Sequence, residues 1–275
     1  CLTKFVFYFA LSAMLFGFSA QMSLADILEP RAAGAYIWGC GVVYAIALAV
    51  AFARKRPLTE AVMEAHTAVI GNTGFLGVPM LVLVLGPEAA ATVLLVLVID
   101  LILFSSLLTI IITAAKEGHI SPRLPGVIGR GLIKNPMVVS MALGLLWSAT
   151  GLGLAEPISA TMALLGAAAT PGALFAIGAS LTNNRAERLT VAGWLSFAKL
   201  VLHPTAVGFG ALFIFGVDPF AAGVLICAAA LPVAGNVYIL AQHYNVAVAR
   251  VSAAILISTA ISVATLPVVI SQFTG

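Results

Sequence analysis

The chain has 275 residues, of which 62% are apolar and 8% charged, with a formal net charge of +3, whereas soluble domains run at roughly 45–50% apolar and about 25% charged. A soluble core of this size cannot absorb that imbalance, so lipid is the solvent of this chain. The small, dispersed positive charge excludes a nucleic-acid surface and reports topology instead. Cys1, Cys40 and Cys227, odd in number and without CxxC spacing, read as free thiols.

A run of about 20 apolar residues crosses the hydrocarbon layer as a helix. Nine such spans are expected, at residues 3–22, 32–53, 62–85, 88–115, 135–150, 157–181, 191–215, 219–242 and 247–271. The chain begins at Cys1 and enters an apolar run almost at once, so a tenth span is expected upstream. Loops are short except 116–134, where SPRLPG and GRGLIKNP hold turn formers and positive charge.

Lys4, Arg54–Lys55–Arg56, Lys116, Arg123, Arg130, Lys134, Arg185, Arg188, Lys199 and Arg250 fall on alternate loops or the span ends beside them. Arg31 lies on the other side, with Asp26, Glu29, Glu88, Glu156 and Asp218. The positive-inside rule makes the basic loops cytoplasmic and places the C-terminus outside. Spans one to four and six to nine are of similar length, match in loop polarity, and each set has a broken span third. An odd number of spans separates the two sets, so they are expected to form inverted repeats: 1–115, lacking its first span, and 135–275, joined by the cytoplasmic connection 116–134.

The broken spans carry the chemistry. The third reads HTAVIGNTGFLGVPMLVLVLG and the eighth FAAGVLICAAALPVAGNVYILAQHY. Gly71, Asn72, Thr73, Gly74, Gly77 and Pro79 in one, and Pro232, Gly235 and Asn236 in the other, sit near mid-membrane. Proline removes a backbone donor and clashes with the preceding turn, so each helix is expected to be interrupted. Freed N–H and C=O groups survive in a membrane only against protein or a water-filled cavity. A half-helix starting near Pro79 or Pro232 aims its positive end at the break, and an Asn amide can donate to a carboxylate. The competing reading, ordinary kinks with glycines for helix packing, fits one such span better than a matched pair.

NTGFLGVP resembles the N-T-x-x-x-G-[IV]-P stretch of the auxin efflux carrier family. LPVAGNVYILAQHYNV with the later TLPVVI resembles its last two spans, and NPMVVSMALGLL and AATPGALFAIGASL resemble its sixth and seventh. The likeness covers essentially the whole chain and is nearer the bacterial branch of malonate and other small-carboxylate transporters. It implies an all-α integral membrane fold of ten spans, of which nine are present, with two broken helices crossing as in sodium/proton antiporters. It also implies a homodimer in the bacterial inner membrane that moves a transport bundle against a scaffold.

Asp100 lies centrally in ATVLLVLVIDLILFSSLL. An intramembrane carboxylate costs about 2.5–3.5 kcal/mol on insertion scales, so it reads either as a proton or sodium coupling site or as a structural group bonded to Ser105 or Ser106. Lys199, about eight residues into its span, either snorkels to the interface or attracts the anion. Arg250 is the other cation near the membrane. His203, before Pro204, reads as a proton carrier or an interhelical hydrogen-bonding group. Thr170, in GAAATPGALFAIGASL, lines the pathway or serves close packing.

A transporter of small organic anions working by alternating access is therefore expected, with substrate at Asn72, Thr73, Gly74, Pro79, Pro232, Gly235 and Asn236. No HExxH, no G-x-S-x-G and no second mid-membrane carboxylate argues for an enzyme, and nothing points to a cofactor or metal. An anion channel, or a membrane-embedded lipid or ligand sensor, remains open on the same scaffold.

Overall fold

A computed structural model describes residues 2–21, 29–117, 124–169 and 189–273. We number its helices in chain order: α1, residues 2–19; α2, Pro30–Ala53; α3, Leu58–Val69; α4, Thr73–Leu85; α5, Ala89–Lys116; α6, Leu124–Lys134; α7, Pro136–Ala149; α8, Glu156–Ala167; α9, Leu189–Ile214; α10, Pro219–Ala229; α11, Gly235–Tyr244; and α12, Val248–Ser271. Among the described residues the only extended pairing is one isolated antiparallel bridge, Gly71 with Val233.

Among the described residues four helices, α2, α5, α9 and α12, are long and apolar enough to cross a membrane unaided. A fifth span arises if Ile128–Lys134 and Pro136–Ala149, bent by 78°, are taken together. The runs expected at 62–85 and 219–242 are each divided in two, into α3 and α4 and into α10 and α11. Much of the run expected at 157–181, with Thr170, lies outside the described residues.

The ends of these helices follow from local chemistry. Pro30 is pre-set for the first turn of α2, while the Glu29 carboxylate accepts from the Arg31 and Ala32 amides. Asn135 and Asp218 do the same for α7 and α10, each also followed by proline. Asn245, left-handed at φ 53°, ends α11, a conformation that Asn tolerates better than most residues.

α2 buries one face: Ala32, Ala35, Tyr36, Gly39, Cys40, Val43, Tyr44, Ala47 and Ala51, a spacing of three and four that holds one side of a helix. Gly39 is where α9 comes closest. A Cβ there would lie 2.6 Å from Val207 Cγ2 and 2.8 Å from its backbone nitrogen. Small residues of this kind let membrane helices approach backbone to backbone.

The helices sort into two groups. α1, α7 and α8 pack chiefly on one another, while α2, α3, α5, α9, α10 and α12 surround the two helix breaks. Between α1, α8 and α4 lies a largely apolar cleft of about 360 Å³, lined among others by Met14, Phe18, Pro79, Leu83 and Met162.

The charges divide between opposite ends of α2, a helix about 36 Å long at 1.5 Å per residue. At its C-terminal end Arg54 and Arg250 both bind the buried Glu64, Arg250 also binds Glu60, and Arg56 lies 3.8 Å from Glu60. Lys116 donates to the carbonyl of Tyr244, which ends α11. At the N-terminal end Arg31 lies 3.5 Å from the carbonyl of Gly216, two residues before Asp218.

Candidate functional site

The two helix breaks meet. Ile70 leaves α3 in an extended conformation, φ −79° and ψ 111°, and Ala234 enters α11 extended, φ −72° and ψ 141°. Between them the Asn72 amide donates to the Pro232 carbonyl at 2.8 Å, and the Ala234 amide donates to the Ile70 carbonyl at 3.1 Å. The Val233 amide donates to Ser258 Oγ of α12 at 3.1 Å. Each break thus satisfies backbone groups of the other, the condition under which non-helical backbone survives at membrane depth.

The new half-helices do not begin at the prolines, as the sequence reading expects. They begin at Thr73 and at Gly235. Pro79 lies six residues beyond the first start, after a π turn, Thr73–Gly77, in which Leu76 and Gly77 both donate to the Asn72 carbonyl. Pro79 thus lies inside α4 just after the π turn, where its missing N–H interrupts the helical ladder rather than starting a helix. Pro232 acts on the helix before it. Having no N–H, it cannot bond back to α10, and the last carbonyls of that helix are left to other partners.

No side chain caps α4, and none caps α11. Their first amides carry the partial positive charge of a helix N-terminus without an internal acceptor. Asn72 is buried beside one of these starts and Asn236 is half-buried in the first turn of the other. Asn236 Oδ1 is buried without a hydrogen-bond partner. Gly235 is exposed, and Thr73, Pro79 and Pro232 are buried. Gly74 is buried against the side chain of Met137 on α7, the place where a Cβ would collide.

Behind the crossing runs a buried polar network. Tyr36 donates its hydroxyl to Asp100 Oδ1 at 2.9 Å, and Thr73 approaches Oδ2 at 3.5 Å. Asp100 is thereby tied to the first broken helix. Ser105, expected to bond its carboxylate, instead donates to the Asp100 backbone carbonyl at 2.9 Å. In the π turn Ile99–Phe104 the Ser105 amide bonds the same Asp100 carbonyl, five residues back, which brings the hydroxyl to that oxygen and leaves the carboxylate to Tyr36.

Lys199 does not snorkel. It is fully buried, and its ammonium donates to the carbonyl of Ala229, the last residue of α10. His203 Nδ1 lies 3.0 Å from the same ammonium, and His203 Nε2 lies 3.1 Å from Cys40 Sγ. The His203 and Tyr36 rings are 5.7 Å apart. Arg250, the other cation considered for an anion, is held by Glu60 and Glu64.

The structure thus brings Asn72, Thr73, Pro232 and Ala234 into one crossing and joins Asp100, Lys199 and His203 behind it. Tyr36, Cys40, Ser258 and Glu64 are participants that the sequence reading missed. Tyr36, the seventh residue of a 24-residue helix, looks in sequence like an ordinary interfacial tyrosine, whereas Glu64 had a signal, an uncompensated carboxylate just inside a span. Ser258 had none. Among the described residues no group of His, Cys, Asp and Glu side chains is arranged to hold a metal ion.

Residues 1–270 match a family model described as membrane transport protein, that of the auxin efflux carriers. The chain belongs to that family. A Rhizobium meliloti member, named "Putative malonate transporter", is 30% identical over 268 residues, covering 96% of this chain and 83% of that one. Membership makes the chain a transporter rather than an enzyme, and a multi-pass membrane protein.

Proposed function

We propose that the chain carries small organic anions, malonate-like mono- or dicarboxylates, by alternating access, with the substrate held at the crossing near Asn72, Thr73, Gly74 and Pro79 on one side and Pro232, Gly235 and Asn236 on the other. The observation that carries this reading is the meeting of two uncapped half-helix starts, each with an asparagine in or beside its first turn. A carboxylate supplies the acceptors those amides lack, and does so without a buried cation in direct contact. The name of the Rhizobium meliloti relative supports this substrate class.

In this reading the nine expected spans form two inverted repeats, 1–115 and 135–275. The group α1, α7 and α8 belongs to the scaffold, and the helices around the crossing move against it as the transport bundle. Two chains pair through their scaffolds in the bacterial inner membrane, with the basic end of α2 in the cytoplasm and the C-terminus outside. Asp100, which touches the first half-helix through Thr73, couples a proton or cation to the movement.

Counterflow of labelled malonate in proteoliposomes tests the proposal. A carrier accumulates label transiently against an outward gradient of unlabelled substrate. A channel leaks without exchange, and a sensor binds without moving label. Absence of counterflow for malonate and for a panel of C2–C5 carboxylates would overturn the carrier reading.

A further inference from the structure

Each crossing of broken helices has two poles. The half-helix starts are positive and the half-helix ends, with their free carbonyls, are negative. In transporters built this way the negative pole is where a mobile coupling cation sits. Here the negative pole of α10 is occupied by the protein itself. Pro232 withholds an N–H from α10, Val233 turns its own amide to Ser258, and the carbonyl of Ala229 is taken by Lys199. Gly71 leaves room for this: a Cβ there would lie 3.3 Å from Nζ and 3.4 Å from the carbonyl of Ala228.

Two groups stand next to the ammonium. Ala229 O accepts from it, and His203 Nδ1 lies 3.0 Å away. Cys40 stands behind the imidazole, and Asp100 lies further off, held by Tyr36 and Thr73 and not in ion-pair contact with Lys199. The ammonium is fully buried and reaches the pole from a π turn, Ala198–Leu202, that displaces its side chain from the regular helical position.

We propose that Lys199 is a tethered substitute for a mobile monovalent cation at the crossing, so that this protein needs no sodium there, and that deleting the ammonium opens a monovalent-cation site. The inference rests on the crossing being the anion site, in that the fixed ammonium then balances a bound carboxylate across the bridge. The occupancy of the negative pole is tested without reference to transport.

Lys199→Ala removes three methylenes and the ammonium, which together are the shape of propylammonium. The full-length protein in detergent is melted in chloride salts of choline, sodium, potassium and propylammonium at constant ionic strength. Wild type is expected to melt at one temperature in all four. Lys199→Ala is expected to melt lower in choline and to regain roughly half or more of the loss in propylammonium or sodium, as a ligand that binds only the folded state must do. Lys199→Met, which refills the space without charge, is the folding control and is expected to be indifferent to the cation. Sodium-specific stabilisation of wild type, or an alanine variant as indifferent as the methionine one, overturns the proposal. Should neither variant be recovered folded, the wild-type series decides alone. Malonate counterflow in sodium-free proteoliposomes is run beside it. No counterflow with any cation sinks the carrier reading and leaves the melting result standing, whereas counterflow that starts only with sodium sinks this inference.

Discussion

Glu64 is the carboxylate that bridges two arginines from different helices, and replacing it by alanine is the sharpest test of what holds the basic end together. Its side chain is 1% exposed, against 10% for Arg250 and 28% for Arg54. Removing one partner of a buried ion pair costs about 3–5 kcal/mol when the other charge is stranded. Stranding here is partial. Arg250 keeps Glu60, whereas Arg54, although 28% exposed, has its Nε and Nη1 buried without another hydrogen-bond partner and is left stranded. The expected loss is therefore about 3 kcal/mol, the low end of that range, a fall in melting temperature of roughly 6–12 °C for a chain of this size. The assay is thermal melting in detergent at about 0.1 M and about 0.5 M NaCl, and the loss should persist at high salt because screening acts weakly on a buried pair. Glu64→Met/Arg250→Met should lose less than the sum of its single variants, since the Glu64–Arg250 pair is then removed whole and neither of its charges is left behind. Melting of Glu64→Ala within about 1 °C of wild type, or strict additivity in the double variant, would show that the network is not a tie between α2, α3 and α12.

Asn72→Ala and Asn236→Ala should each weaken carboxylate binding about ten- to a hundredfold, the worth of one hydrogen bond to a charged ligand, with melting nearly unchanged; wild-type affinity in both, measured by calorimetry, would move the site elsewhere. Asp100→Asn should preserve the fold, because Tyr36 and Thr73 can still donate to its carbonyl oxygen, and should flatten the pH or cation dependence of uptake; an unaltered dependence would leave Asp100 a structural role. Ser258→Ala leaves the Val233 amide without its acceptor and should cost about 1–3 kcal/mol, read as a lower melting temperature in detergent; no change would mean that water replaces the hydroxyl.

What the sequence made legible was whatever depends on local composition. Apolar run length located the helices, and the Gly–Asn–Thr and Pro–Val–Ala segments located both breaks. Where the half-helices start was not legible from proline alone, because Pro79 sits six residues inside its half-helix, after a π turn, and Pro232 acts on the helix before it. Long-range partners were also hidden. The carboxylate of Asp100 finds Tyr36, 64 residues away, rather than the serine one turn on. Lys199 points inward because α10 ends with free carbonyls beside it, which no property of its own span foretells. The fate of Thr170 lies outside the described residues.

The bridge between Gly71 and Val233 also bears on how the chain is made. Its hydrogen bonds join main chain to main chain across about 160 residues of sequence. During synthesis the first break therefore emerges long before its partner exists, with the Asn72 amide and the Ile70 carbonyl unmatched. Neither group can be left facing hydrocarbon, so insertion of α3 and α4 has to wait in a wet or protein-lined setting until α10 and α11 arrive. A substitution to proline at position 234 removes the donor to Ile70 and would be expected to show first as a defect of membrane assembly, visible as degradation of newly made chains, before any effect on a finished carrier.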